Sequence, residues 1–426
     1  MHEIIYMIPH PHIRQNKNQI FPKLNHLDFS AHSCHNQNMQ HYDVIIIGAG
    51  AAGLTAAAQC VSHGVRTAVL DMGRAPARKV RVSGGGRCNI TNTAASRDRY
   101  FGENPDFVRG ILARVTPQDI LTWATEHNLG ARENDPGRFF CDAGAAAVVD
   151  ALAHDARGAD IFYETHVHDI EHHAGIFTIK TSRDLFSGTR VIVASGGISY
   201  PNLGVSDLGY RIAKKFGHKI VPPRPGLTPI HTSVMPTELA GISLNVAIHI
   251  GRAVVSDALL LTHNGIGGPA AYRTSLYDLT GGITIDFCPD VDMNTYMTTA
   301  RMANGRRTVA TTLSEWMPMR LARWLAGNIA DMRIADLNIS QIRDIVARTH
   351  NFYIAPDTMT RASFTGAEVT FGGVDTHDIS PRTLESKRCP GLYFVGEVLD
   401  ITGDLGGFNL QWAWSSGRVA AMAATN

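Results

Sequence analysis

Gly48, Gly50 and Gly53 stand at the spacing G-x-G-x-x-G, and an acidic residue, Asp71, follows about 20 residues further on. The first glycine allows a tight turn, the second leaves no side chain between backbone and pyrophosphate, and the third lets a helix lie close on a strand. Ala51 and Ala52 complete the turn, whose N–H groups open a helix with its positive end toward phosphate. Asp71 is placed to accept hydrogen bonds from ribose hydroxyls. This is the chemistry of holding an adenine dinucleotide.

Three further stretches carry polar groups among glycines. In RKVRVSGGGRCNITNT (Arg78 to Thr93), Lys79, Ser83, Arg87 and Asn89 flank Gly84, Gly85 and Gly86. Glycine brings backbone donors close to a flat or anionic ligand, and the polar residues add their own; the other reading is a flexible surface loop. Cys88, alone, reads as a small buried residue rather than a nucleophile. VIVASGG (Val191 to Gly197) is a strand ending in Ser195, Gly196 and Gly197, small enough to pass beneath a cofactor. In GEVLDITGDLGGFNLQWAWSSG, Gly396 and Glu397 follow an apolar strand, and Gly406 and Gly407 open the last helix ahead of Phe408 and Asn409. A carboxylate there suits ribityl hydroxyls, and a helix N-terminus stabilises negative charge on a reduced isoalloxazine. Taken alone, this stretch is also a strand and helix closing a sheet.

The elements that must position these residues are legible. Val44 to Ile47 reads as a buried strand, the alanine-rich stretch to about His63 as a helix, and Thr67 to Leu70 as a second strand. Helices are expected near 107–114, 117–128, 145–154 and 209–216, and strands near 161–163, 167–170 and 176–181. The proline-rich passage Pro222 to Pro229 reads as a crossing between domains. Short strands are expected from Ile230 to Asp286 and helices within 291–350, at 317–329 and 339–350. The domain division that results is 1–40 as a tail or misplaced start and 41–200 with 358–426 as a discontinuous nucleotide-binding domain. A β-barrel-like insert occupies 201–290 and 351–357, and a helical insert 291–350.

With 44% hydrophobic and 18% charged residues the composition is that of an ordinary globular chain. A net charge of +1 gives no reason to expect nucleic acid or an anionic membrane as partner. No apolar stretch reaches the roughly 18 residues of a bilayer span. The six cysteines form no C-x-x-C pair, so no dithiol or zinc ribbon is signalled and no metal is expected. A reducing cytoplasm is the simplest location. No pattern speaks to oligomeric state. There is no second G-x-G-x-x-G after a strand, so a nicotinamide would dock on the flavin face without a Rossmann unit of its own.

Together these stretches resemble the BaiN-like, or YhiN-type, NAD(P)/FAD-dependent oxidoreductases. The likeness covers nearly all of 42–426 and rests on GAGAAG (48–53), RKVRVSGGGRCNITN (78–92), GGISYPNLG (196–204), THNGIGGPA (262–270), TFGGV (370–374), TLESK (383–387) and GEVLDITGDLGGFNLQWAWSSG (396–417). It implies an α/β fold: a glutathione-reductase-type FAD-binding Rossmann-like domain with an inserted β-barrel and a small helical subdomain. Some members reduce carbon–carbon double bonds in dehydro-bile acids, and others are labelled aminoacetone oxidase-like. By that resemblance Gly48, Gly50 and Gly53 hold the pyrophosphate and Asp71 the adenosine ribose. Lys79, Ser83, Gly85, Arg87 and Asn89 line the flavin side, and Val167 meets adenine through its backbone. Glu397, Asp404, Gly407 and Asn409 complete the ribityl and ring contacts. Phe140–Cys141 replaces the usual Phe-Pro, and GVSDLG (204–209) replaces a commoner GSTGDG close to the expected active site.

The expected reaction passes a hydride between a small organic substrate and FAD, with NAD(P)H as reductant and a carbon–carbon double bond as acceptor. His263 and Tyr200 are the candidates for proton transfer; histidine's ordinary pKa suits that task, while a hydrogen-bonded structural role is the other reading of His263. The alternatives are a flavin oxidase of a small amine and a flavin-binding protein without turnover. Residues 1–38 hold six histidines without regular spacing and no secretory pattern. They are expected to be dispensable: a chain started at Met39 should be recovered in the soluble fraction with its cofactor, and colourless or insoluble protein would overturn this.

Overall fold

The computed structural model describes residues 39–426; the expectations for the first 38 residues lie outside it. Strand β1 (Gln40–Ile47) ends in four fully buried residues, Val44 to Ile47. A continuous β-branched run of this kind suits a parallel strand covered on both faces. On one side it pairs in parallel with β2 (Thr67–Leu70), which pairs with Asp160–Phe162. On the other it pairs with the central strand, Leu185–Val193, whose last three residues pair in parallel with Leu392–Phe394. A strand from near the C-terminus therefore completes a sheet begun at residue 40. The first half of Leu185–Val193 instead runs antiparallel to Ile176–Thr181, which pairs with Val167–His173.

Helix α1 (Ala51–Ser62) buries Ala52, Gly53, Leu54, Ala56, Ala57 and Cys60. Small residues bring it close to its neighbours on two sides. A Cβ at Gly53 would overlap the Gly48 carbonyl oxygen, and a Cβ at Gly417, in the last helix (Phe408–Ala424), would overlap the Ala52 carbonyl oxygen. The turn between β1 and α1 is held by close backbone contact and by the Asp71 carboxylate, which accepts from the Ala49 N–H at 2.6 Å.

A second, antiparallel sheet of seven strands has the order Phe352–Ile354, Ile283–Asp286, Ser243–Ile250, Ala253–Thr262, Gly265–Gly267, Ile230–Thr232, Met359–Arg361. Helices Met293–Ala303, Val309–Leu313, Met319–Ala326 and Ile339–His350 share one apolar core with it. A separate two-stranded ribbon pairs Ile220–Gly226 with Val369–Val374, antiparallel.

Three expectations differ from the structure. The proline-rich crossing is a strand, because a two-stranded ribbon leaves each strand one free edge and the pairing is irregular between Val221 and Arg224, where missing N–H groups cost nothing. The polar loop from Arg78 is helix α2 (Arg78–Val82), a turn with Gly84 and Gly85 at positive φ, and a strand, Asn89–Asn92. A short helix, Gly268–Thr274, with Pro269 in its first turn, occupies what read as strand territory.

Among the described residues no helix is long and apolar enough to cross a membrane, and no group of three or more candidate ligands could hold a metal. Gly53→Ala should push α1 off the turn and lower stability by roughly 1–3 kcal/mol, the usual range for overpacking; an unchanged urea midpoint would contradict the packing described.

Candidate functional site

Four of the five parallel strands of the first sheet end at the wall of one cavity of about 740 Å³. Its floor is Gly48–Ala52 after β1, Asp71 and Met72 after β2, Ala194–Gly196 after the central strand and Val395–Glu397 after Leu392–Phe394. This is the carboxyl-end crevice in which open α/β sheets bind ligands. Two helix N-termini open onto it. Neither α1 nor the last helix has an acidic residue in its first turn or a side-chain cap, so their first N–H groups remain available.

The structure brings most of the expected residues together. Gly48, Gly50, Ala51, Ala52, Asp71, Lys79, Ser83, Gly84, Gly85, Asn89, Val167, Ser195, Gly196, Gly396, Glu397, Gly406, Gly407 and Asn409 all line the cavity, and so does Tyr200. Gly53 and Gly197 stand behind the wall; a Cβ at Gly197 would overlap the Thr370 hydroxyl. Phe408 is buried beneath it, its carbonyl accepting from the Tyr100 hydroxyl at 3.0 Å. Arg87 is exposed, with its guanidinium 4.8 Å from the centre of the Phe140 ring.

Asp404 is not at the cavity. Its carboxylate lies between Arg273, which donates to both oxygens at 3.1 Å, and Arg99 at 3.2 Å. It ties the loop before the last helix to helix Gly268–Thr274. His263 is also elsewhere: exposed at the turn between two strands of the antiparallel sheet, it borders a separate hollow with His231 and Asp357. The geometry therefore separates the two proton-transfer candidates and leaves Tyr200 at the cavity.

Two carboxylates in the wall have opposite surroundings. Glu397 accepts from the Lys79 ammonium at 2.7 Å, the Thr370 backbone N–H at 2.8 Å and the Ser199 hydroxyl at 3.2 Å. Burial alone would raise its pKa, but the Lys79 charge and these donors hold it below the usual range. Glu368 also lines the cavity, and there burial raises its carboxyl. Asp71 accepts from the backbone N–H groups of Ala49 and Gly73, both at 2.6 Å, and keeps further lone pairs for a ligand. Tyr200 has a left-handed backbone, φ 57°; its phenol is raised by burial and then by the charge of Glu368.

Sequence reasoning did not single out Glu368, Ser199, Thr370 or Arg78. Arg78 pairs with Asp71 at 3.7 Å and donates to the carbonyls of Leu203 and Gly204. An acidic residue just ahead of the apolar TFGGV run was the available signal for Glu368.

A model of the HI0933-like protein Rossmann domain matches residues 42–423. The chain belongs to that family. It is 36% identical over 393 residues to the ribosomal RNA dihydrouridine synthase of Escherichia coli (strain K12), covering 90% of this chain and 98% of that protein. To the protein of the same name from Haemophilus influenzae it is 37% identical over 398 residues, again covering 90% and 98%. The 3-dehydro-bile acid delta(4,6)-reductase of Clostridium scindens is 28% identical over 403 residues, covering 89% and 98%. The fold is thus the Rossmann-like α/β FAD-binding fold, and the chain is an FAD-dependent oxidoreductase.

The residues present fit FAD. At Gly50, Gly85 and Gly196, all on the cavity, an added Cβ would meet no atom within 4 Å, so the space beside the backbone is open to a ligand. Free helix N-termini suit phosphate, and Asp71 suits a ribose.

Replacing Lys79 by Met strands the Glu397 anion. The cost should be about 2 kcal/mol, between the 0–1 of an exposed pair and the 3–5 of a buried one. A carboxyl with a lowered folded-state pKa contributes stability above its unfolded value, and that contribution disappears as pH falls through the folded value. The gap between wild type and Lys79→Met in urea unfolding should therefore be full at pH 7 and shrink below about pH 4. A gap independent of pH would refute the pairing.

Proposed function

We propose that this chain reduces a carbon–carbon double bond, that of a uracil base in ribosomal RNA, using FAD re-reduced by NAD(P)H. The observation that carries the reading is the 36% and 37% identity to two ribosomal RNA dihydrouridine synthases across 98% of each, against 28% to the bile-acid reductase. All three names describe saturation of a carbon–carbon double bond, the chemistry that the family resemblance implies.

In this reading the cofactor-holding part is 41–200 with 358–426, and the insert 201–357, which carries all of the second sheet except its edge strand Met359–Arg361, shapes access. The α1 N-terminus takes the pyrophosphate, Asp71 the adenosine ribose and the backbone of Val167 the adenine. Lys79 and Glu397, locked to each other, form the wall on the flavin side, and the N-terminus of the last helix faces the ring. FAD, when bound, supplies the hydride. Tyr200, whose phenol keeps its proton, donates a hydrogen bond inside the cavity.

This reading sets aside the expectation of a partner set without nucleic acid. That expectation rested on a net charge of +1, which averages over the surface. Locally, Arg81 and Arg87 are exposed beside residues that line the cavity, and Arg87 lies over Phe140, which lines it. An arginine on an aromatic ring beside a pocket is a platform on which an unstacked base can lie.

Two measurements test the reading. The yellow protein, mixed anaerobically with NADPH or NADH, should bleach; reduction by an amine donor alone would favour the oxidase instead. Ribosomal RNA from cells lacking the gene should lose a dihydrouridine, detected by nucleoside mass spectrometry, and regain it on complementation. Unchanged dihydrouridine would refute the substrate.

A further inference from the structure

Reduction of a double bond adds a hydride to one carbon and a proton to the other. The proposed function accounts for the hydride, and the proton needs a donor that reaches the cavity with a hydrogen to give. His263 is at another surface. Lys79 is committed to Glu397 and Ser199, both at 2.7 Å. Glu397, with three donors directed at it, is held as an anion. Asp71, given to the ribose in the proposed function, already accepts from two backbone N–H groups, and the lining side chains left with an acidic O–H to give are Tyr200 and Glu368.

We propose that Glu368 is the proton donor of the reduction. It lines the cavity immediately ahead of Val369–Val374, and its backbone is fixed on both sides. The N–H donates to Leu227 at 3.1 Å, and the carbonyl accepts from the Ser199 hydroxyl at 3.4 Å. Among the described residues its carboxyl has neither a hydrogen bond nor an ion pair, so nothing competes with a substrate for its proton. The side chain is exposed where it lines the cavity, which makes it accessible to a ligand.

The surrounding charges agree with a neutral carboxyl. From helix Gly268–Thr274, Tyr272 feels Glu368, as Tyr200 does from the segment after the central strand. Neither phenol brings a positive charge. Glu397 lies on the far side of Ser199 with its negative charge matched by Lys79. Burial thus raises the Glu368 carboxyl without a cation to lower it again. A donor works best when its pKa approaches the working pH. The carboxyl moves toward that range and the Tyr200 phenol moves away from it, which selects Glu368 between the two. In the step, the carboxyl O–H bond breaks and a C–H bond forms on the substrate; the second carbon takes the hydride with its electron pair, and water reprotonates the carboxylate.

The inference rests on the double-bond reading, and the test separates the two. Holoenzyme, Glu368→Gln and Glu368→Asp are each loaded with FAD, and loading is checked by visible absorbance. Glu368→Gln should be reduced by NADPH at the wild-type rate. It should then lose dihydrouridine formation in complemented cells by about 10²–10⁴-fold, the usual contribution of a general acid, with partial recovery in Glu368→Asp. An infrared titration, wild type minus Glu368→Gln, should show the protonated carboxyl band persisting above about pH 4.3, the ordinary glutamate value. Wild-type product from Glu368→Gln, or a Glu368 that titrates at or below the ordinary value, overturns the role and leaves the proposed function standing. If the wild type itself forms no dihydrouridine, the RNA reading fails. The role is then decided by reoxidation of the reduced holoenzyme with cyclohex-2-enone: a Glu368→Gln rate equal to wild type, or no reaction in either, overturns it.

Discussion

A carboxylate in the wall of a cavity stays ionised only if charge and donors are built around it. Glu397 meets that demand with groups from three other regions of the chain. Lys79 comes from α2, Ser199 from the segment after the central strand, and the Thr370 N–H from the ribbon. Lys79 and Glu397 are 318 residues apart in sequence. Their contact fixes α2 relative to the last parallel strand and so sets the width of the cavity. One layer behind, Asp404 does the same for the loop before the last helix, anchoring it to Arg99 and Arg273. The cavity is framed by charge pairs between segments that have little else in common.

Its floor is made by the opposite means. Gly48, Gly53 and Gly417 bring backbone against backbone, so the β1–α1 turn lies beneath the ligand space with no side chain to intrude. Alanine dominates α1 for the same reason: a helix squeezed between a sheet and a second helix has room for methyl groups and little more. The amide groups left free at its first turn then become the binding surface. Packing and ligand recognition depend on the same small residues here, so one substitution would disturb both.

These two mechanisms differ in how far sequence reveals them. Local contact leaves a local trace. The strand Thr67–Leu70 and the helix Ile339–His350 lie where their apolar pattern places them, and the turn between Gly48 and Gly53 is legible from spacing alone. The charge pairs leave none, because the partner of a lysine in α2 is chosen by strands hundreds of residues away. Asp404 shows the difference. The resemblance implies a ligand contact there, and its neighbours Gly406 and Gly407 do reach the cavity, yet its side chain goes to Arg273. His263 lies in a glycine-rich turn that looks like a site, but the antiparallel sheet carries that turn to another surface. Arg78–Thr93 read as a loop because three glycines mask the helical turn before them. A net charge, finally, has no address; it could not show that Arg81 and Arg87 stand beside the cavity.

The distribution of protons in the wall follows from counting charges. Lys79 is bound to Glu397, so the cation nearest that carboxylate is already committed. The floor presents helix N-termini arranged for an anion, and an ionised Glu368 would add an unmatched negative charge to the same cavity. Protonation removes that repulsion without any new contact. Glu368 and Thr370 are two residues apart on one chain, and the Thr370 N–H serves Glu397 while the Glu368 carbonyl takes the Ser199 hydroxyl. The backbone that fixes the ionised carboxylate therefore also positions the neutral one. When two acids in one cavity are driven apart in this way, their tasks separate as well: one holds structure as an anion, and the other has a proton to give.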